Sequence, residues 1–147
     1  MPIFRDKLQP TLQKKLLALD GGGIRGVIAL EVLERVEEIL RKKLARPDAV
    51  LADYFDYIAG TSTGAIIATC LALGMTVDAV REFYIASGPD MFSEAGFLRR
   101  FHNRYDREQL ANQLQDVFGE TTSLGSDRLR TLLMLVMRNA TTDSPWP

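Results

Sequence analysis

Two glycine clusters, each set between a short apolar run and a helical pattern, constrain this chain more than any other feature. Gly21, Gly22, Gly23 and Gly26 follow Leu16–Leu19, and Gly60 and Gly64 follow Phe55–Ala59. Glycine admits positive φ and close backbone approach, so such clusters mark places where backbone geometry matters. A chain that places them at two successive strand-to-helix junctions is expected to be built from βα units.

The remaining pattern agrees. Leu16–Leu19 reads as a buried strand stopped by Asp20. From Val27 to about Ala45, Val27, Leu30, Leu33, Val36, Ile39, Leu40 and Leu44 recur at three- and four-residue steps, with acidic and basic residues on the other face. That spacing predicts an amphipathic helix ended by Pro47. Leu51–Tyr54 leads into a second strand, Phe55–Ala59, closed by Gly60. A helix apolar nearly all round begins near Ser62 and ends at Gly74, and a third runs from Val77 to about Ala86, where Ser87-Gly88-Pro89 is expected to break it. Asp106 and Gln109 read as a capping box for a helix through about Phe118. Leu132–Met137 reads as a third strand. The order β-α-β-α-α-α-β, with apolar rather than alternating strands, predicts an α/β fold, three-layer α/β/α around a mainly parallel sheet.

Composition removes other classes. The 147 residues are 46% hydrophobic and 25% charged, which excludes a disordered tract, a collagen-like fibre and a disulfide scaffold. A net charge of −1 supplies no global pull toward nucleic acid. The single cysteine, Cys70, cannot form an internal disulfide and fits a reducing compartment. Residues 1–15 form a polar lead without the apolar core of a secretory signal. The uncharged window Tyr57–Val77 has the length of a membrane span (~20 residues), but its glycines and hydroxyl residues favour a strand, a turn and a buried helix.

The first cluster, Asp20-Gly21-Gly22-Gly23-Ile24-Arg25-Gly26, satisfies G-x-G-x-x-G through Gly21, Gly23 and Gly26. In a βα context that pattern suits a dinucleotide. The acidic partner such a site needs near the end of the second strand is approximated only by Asp56, which precedes that strand's last residues. The same turn exposes backbone N–H groups at a helix N-terminus, and these suit any anion, including the oxyanion formed when an ester is attacked. The second cluster, Gly60-Thr61-Ser62-Thr63-Gly64, fits the G-x-S-x-G nucleophile elbow, with Ser62 lifted on a tight turn between strand and helix. The plain alternative is a serine that caps a helix between two glycines. Together the clusters offer a nucleophile and an oxyanion cradle at the carboxyl ends of neighbouring parallel strands, where ligand sites of open α/β sheets lie.

DGGGIRG at Asp20–Gly26 followed by GTSTG at Gly60–Gly64 closely resembles the patatin-like phospholipase family. The resemblance extends through the Tyr105-Asp106 helix. It implies that Gly21, Gly22 and Gly23 line an oxyanion hole, that Ser62 is the nucleophile, and that Arg25 supports the loop or the substrate. It further implies hydrolysis of acyl esters of phospholipids, lysophospholipids or other glycerolipids, by a Ser–Asp dyad with no cofactor and no metal. The expected partner is a lipid or membrane-surface substrate, with no nucleic acid and no transmembrane segment, and the expected location is cytoplasmic and peripheral at the membrane.

The dyad aspartate of that family stands in a later Asp-Gly-Gly or Asp-Gly-Ala motif, and after Gly64 no aspartate of this sequence is followed by glycine. Asp143 precedes Ser144, and Asp20 belongs to the glycine loop. A Ser-His-Asp triad would have to use His102, the only histidine, with Asp78 or Asp90. His102 sits in a basic, aromatic stretch in which Phe97, Phe101 and Tyr105 suit core anchoring or lipid contact better. The expectation is therefore a partial domain over 1–147, with the half that holds the base absent. An inactive lipid- or partner-binding fragment is the alternative, and a dinucleotide-binding module the more distant one.

Overall fold

The computed structural model describes residues 7–8, 10, 13–92, 104–139, 141–142 and 144–147. Three parallel strands form the sheet in the order β1 (Leu16–Leu19), β2 (Tyr57–Thr61), β3 (Leu132–Arg138), and a two-residue strand β4 (Pro145–Trp146) adds antiparallel to β3. Between them run α1 (Gly26–Leu44), a one-turn α2 (Leu51–Tyr54), α3 (Thr63–Ala72), α4 (Val77–Phe92) and α5 (Arg104–Phe118). The chain is thus α/β, as its apolar strands predict.

Much of the core lies on one face of the sheet. Leu17, Ile58 and Leu133 stand in register across the three parallel strands and pack into one cluster with Ile67, Cys70 and Leu71 of α3, Leu30, Leu33 and Leu40 of α1, and Val77, Val80 and Tyr84 of α4. Leu114, Val117 and Phe118 bring α5 onto the same cluster. On the opposite face of β1, Leu16 is 59% exposed and Ala18 is exposed. Cys70 is fully buried, and burial pushes its thiol up to about 12. It is therefore an inert core group.

Several boundaries differ from those the sequence suggests. β2 begins two residues late because Leu51–Tyr54 curls into α2, and it runs through Gly60, which pairs with Leu19 and Leu135 instead of closing the strand. α4 continues across Ser87-Gly88-Pro89 to Phe92, its earlier turns held by the buried Val77, Val80, Tyr84 and Ser87. Tertiary packing there outweighs the loss of one backbone donor at Pro89. α5 starts at Arg104, so Asp106 lies inside the helix and not at its cap. α1 ends as predicted before Pro47, with Ala45 in the left-handed region (φ 51) and its N–H on the Arg41 and Lys42 carbonyls. His102, Phe97, Phe101 and Asp143 lie outside the described residues, as do the side chains of Asp90 and Tyr105.

One buried acid ties three helices together. Glu37, 2% exposed, accepts the Val77 N–H at 3.3–3.4 Å and a bond from the Leu51 backbone, and pairs with Arg41 at 2.8 Å. Burial pushes its carboxyl upward, while the Val77 N–H and Arg41 pull it back. Glu37→Ala strands these donors and is expected to cost about 2–4 kcal/mol in urea unfolding. Because the folded group holds its proton more tightly than the unfolded one, its contribution is full below the usual carboxylate range and declines as pH rises through the raised value. Glu37→Gln keeps an acceptor and removes that decline, which urea midpoints measured across pH would show as a flatter profile.

Candidate active site

β1 and β2 are parallel and paired from Leu16↔Tyr57 to Leu19↔Gly60. Their carboxyl ends therefore stand side by side, and each is followed by one of the two glycine clusters. The register of two adjacent strands is what brings clusters about 40 residues apart in sequence into contact.

Ser62 sits on the turn from β2 into α3 with φ 51 and ψ −126. A non-glycine residue there is uncommon and costs on the order of 1–3 kcal/mol, so it persists only where the surroundings enforce it. The serine side chain makes no capping bond to α3, and the residue is exposed. The plain alternative of a helix-capping serine does not describe this geometry.

The surrounding glycines enforce the turn by leaving space. A Cβ on Gly21 would stand 2.7 Å from Ser62 Cβ and 3.0 Å from the Thr61 carbonyl oxygen. One on Gly60 would meet the backbone N of Ala65 at 2.7 Å, and one on Gly64 the Asp20 carbonyl oxygen at 2.7 Å and the Leu19 carbonyl carbon at 2.8 Å. Gly23 serves differently: it has open space around it and a φ of +58, which glycine adopts without strain.

Hydrogen bonds from the first cluster run to the second. The Gly21 N–H donates to Thr61 Oγ1 at 2.9 Å, and the Gly22 and Gly23 N–H groups converge on Thr63 Oγ1 at 3.2 and 3.1 Å. Two backbone donors thus converge on one neutral hydroxyl oxygen. The buried Tyr84 phenol of α4 donates to the Gly23 carbonyl. Burial pushes the Tyr84 phenol upward, so it stays protonated and able to donate through the neutral range. Gly26 lies beneath, where its missing side chain admits the phenol ring: a Cβ there would be 2.8 Å from Tyr84 Cζ. Arg25 is exposed at the start of α1, its N–H on the Gly22 carbonyl at 3.2 Å.

Thr61, Thr63 and Tyr84 are the site residues that sequence reasoning passed over. The threonines occupy the variable positions of G-x-S-x-G, and Tyr84 falls on the apolar stripe Val77, Val80, Tyr84 that reads simply as core. The one available signal was that a buried phenol needs a hydrogen-bond partner. Asp56, the acid weighed for a dinucleotide site, lies at the amino end of β2 and accepts the Lys15 N–H at 2.9 Å, a bond that holds its carboxyl below the usual range. It stands at the opposite end of the strand from the glycine loop. Asp78 pairs with Arg81 at 2.6 Å in the first turn of α4.

This constellation has relatives. Residues 17–144 match the family profile described as patatin-like phospholipase. The chain belongs to that family. It is 38% identical over 125 residues to patatin-like protein 1 of Oryza sativa subsp. indica, covering 76% of this chain and 30% of that protein. It is 40% identical over 113 residues to patatin-T5 of Solanum tuberosum and 38% identical over 113 residues to patatin-17 of Solanum cardiophyllum, each covering 72% of this chain and 29% of the relative. The chain thus spans about 30% of the length of these curated relatives. The patatin-like match begins within β1 and runs past β3, so it contains both glycine clusters, Ser62, Thr63 and Tyr84. Among the described residues, no helix of this patatin-family chain is long and apolar enough to cross a membrane, and the uncharged window Tyr57–Val77 divides into β2, the Ser62 turn and α3.

Proposed function

We propose that this chain carries the nucleophile and the oxyanion cradle of a lipid acyl-ester hydrolase. Ser62 Oγ attacks the ester carbonyl carbon, the alcohol leaves, and water then releases the acyl group from the serine. The carrying observation is Ser62 itself: exposed, at φ 51, uncommitted to capping, and in contact with the glycine loop. The Gly22 and Gly23 N–H groups receive the developing negative charge. A charge-assisted bond to an oxyanion is roughly twice as strong as one to a neutral hydroxyl, so the oxyanion displaces Thr63 Oγ1 from them. The N-terminus of the ten-residue helix α3 adds positive potential at the same place. Arg25 flanks the loop and supports it or the substrate.

Proton transfer from Ser62 requires a base. The family motif that carries the dyad aspartate is missing from the residues after Gly64, and we place that aspartate outside these 147 residues. The substrate class, a phospholipid, lysophospholipid or other glycerolipid met at a membrane surface, follows from the family. The chemistry so described uses no cofactor or metal.

Covalent labelling tests the reading. A fluorophosphonate is expected to label the protein as it is encoded at Ser62, and Ser62→Ala to abolish labelling. Cys70 does not compete, because its thiol is buried and protonated. An unlabelled wild type, or a label on another residue, overturns the assignment.

A further inference from the structure

We propose that Tyr84 is a positioning residue: its phenol, with the Thr63 hydroxyl on the other side, braces Gly23 and holds the glycine loop against Ser62. The inference rests on the hydrolase reading above and extends it to α4. The Gly22 and Gly23 N–H groups donate to Thr63 Oγ1, and the Tyr84 O–H donates to the Gly23 carbonyl. Both peptide planes flanking Gly23 are thereby held, one through its N–H and the other through its C=O.

A loop of three consecutive glycines has little stiffness of its own, and an oxyanion cradle works only when its donors are already aimed. The bonds to Thr63 and Tyr84 supply that order from outside the loop. Tyr84 suits the task because it is rigid, fully buried and set on α4, whose neighbouring residues Val77 and Val80 are fixed in the core. Gly26 makes room for the phenol. When an oxyanion displaces Thr63 from the two N–H groups, the bond from Tyr84 to the Gly23 carbonyl remains and keeps the loop in place.

The test compares Tyr84→Phe, which removes only the phenolic oxygen, with Thr63→Val and Thr63→Ser in the protein as encoded. Amide hydrogen exchange, read by NMR, is expected to quicken roughly tenfold at Gly22 and Gly23 in Tyr84→Phe and Thr63→Val. It should stay unchanged at Leu30 and Leu33 in the α1 core and return toward wild type in Thr63→Ser, which keeps the hydroxyl. With a p-nitrophenyl ester, Tyr84→Phe is expected to lower kcat roughly tenfold at little change in KM, as an interaction needed in the transition state does. Unchanged exchange at Gly22 and Gly23 overturns the brace. Faster exchange with unchanged kcat overturns its catalytic role, as does a rise in KM alone. Hydrolysis that persists in Ser62→Ala overturns the hydrolase reading instead, and the exchange measurement then still decides the brace.

Discussion

Replacing Ser62 by alanine in a protein that also carries the dyad aspartate is expected to lower ester hydrolysis by roughly 10⁴-fold or more, the scale seen when an enzyme loses its nucleophile. The argument is geometric before it is chemical. The residue stands at φ 51, where alanine is strained much as serine is, so the substitution removes the hydroxyl and changes little in the backbone. Its side chain makes no capping bond to α3, so removing it takes no hydrogen bond from the helix start. Thermal unfolding should therefore move little, by about 2 °C or less, while hydrolysis of a p-nitrophenyl ester and of a phospholipid disappears. A variant that hydrolyses both at the wild-type rate would show that Ser62 is not the attacking group. A variant that unfolds far earlier would show that its hydroxyl holds the turn.

Gly64→Ala should do the reverse and strike the fold first. The added methyl would stand 2.7 Å from the Asp20 carbonyl oxygen and 2.8 Å from the Leu19 carbonyl carbon. Both are backbone atoms at the end of β1, so no flexible side chain can move aside. Either α3 lifts from the sheet or the end of β1 shifts, and both disturb the core that Ile67, Cys70 and Leu71 make beneath. An overpacking cost of about 3 kcal/mol or more is expected, lowering Tm by roughly 6–12 °C for a chain of this size. Calorimetry measures it directly; a Tm within about 2 °C of wild type would mean that the helix and strand do not meet as described. Gly22→Ala is the natural comparison, since a methyl there meets only Arg25 Cβ at 3.5 Å, an ordinary contact.

These two glycines show how far the residues themselves could be read. G-x-S-x-G leads to a crowded turn in which Gly60 and Gly64 make room for each other, and Gly60 does meet the start of α3. That Gly64 also clears a different strand follows only from the register Leu19↔Gly60. The same holds for Thr61 and Thr63. Their hydroxyls flank Ser62 in the sequence, yet their partners are the amides of Gly21, Gly22 and Gly23, about 40 residues earlier. Local pattern reports which groups are available, and only strand pairing decides which of them meet. The misplaced boundaries have the same origin. Ser87-Gly88-Pro89 weakens a helix locally by an amount that packing of Val80, Tyr84 and Ser87 overcomes, and propensity contains no term for that packing.

The sequence by itself determined the class of the fold, the two strand-to-helix junctions, the serine between them and the family, because apolar runs and glycine placement are local properties of the chain. The tertiary structure decided that the junctions touch, that the serine side chain makes no capping bond, that threonine hydroxyls take the glycine amides and that Tyr84 donates to the Gly23 carbonyl. Those are relations between residues distant in sequence, and they exist only once parallel pairing and core packing have set the backbone.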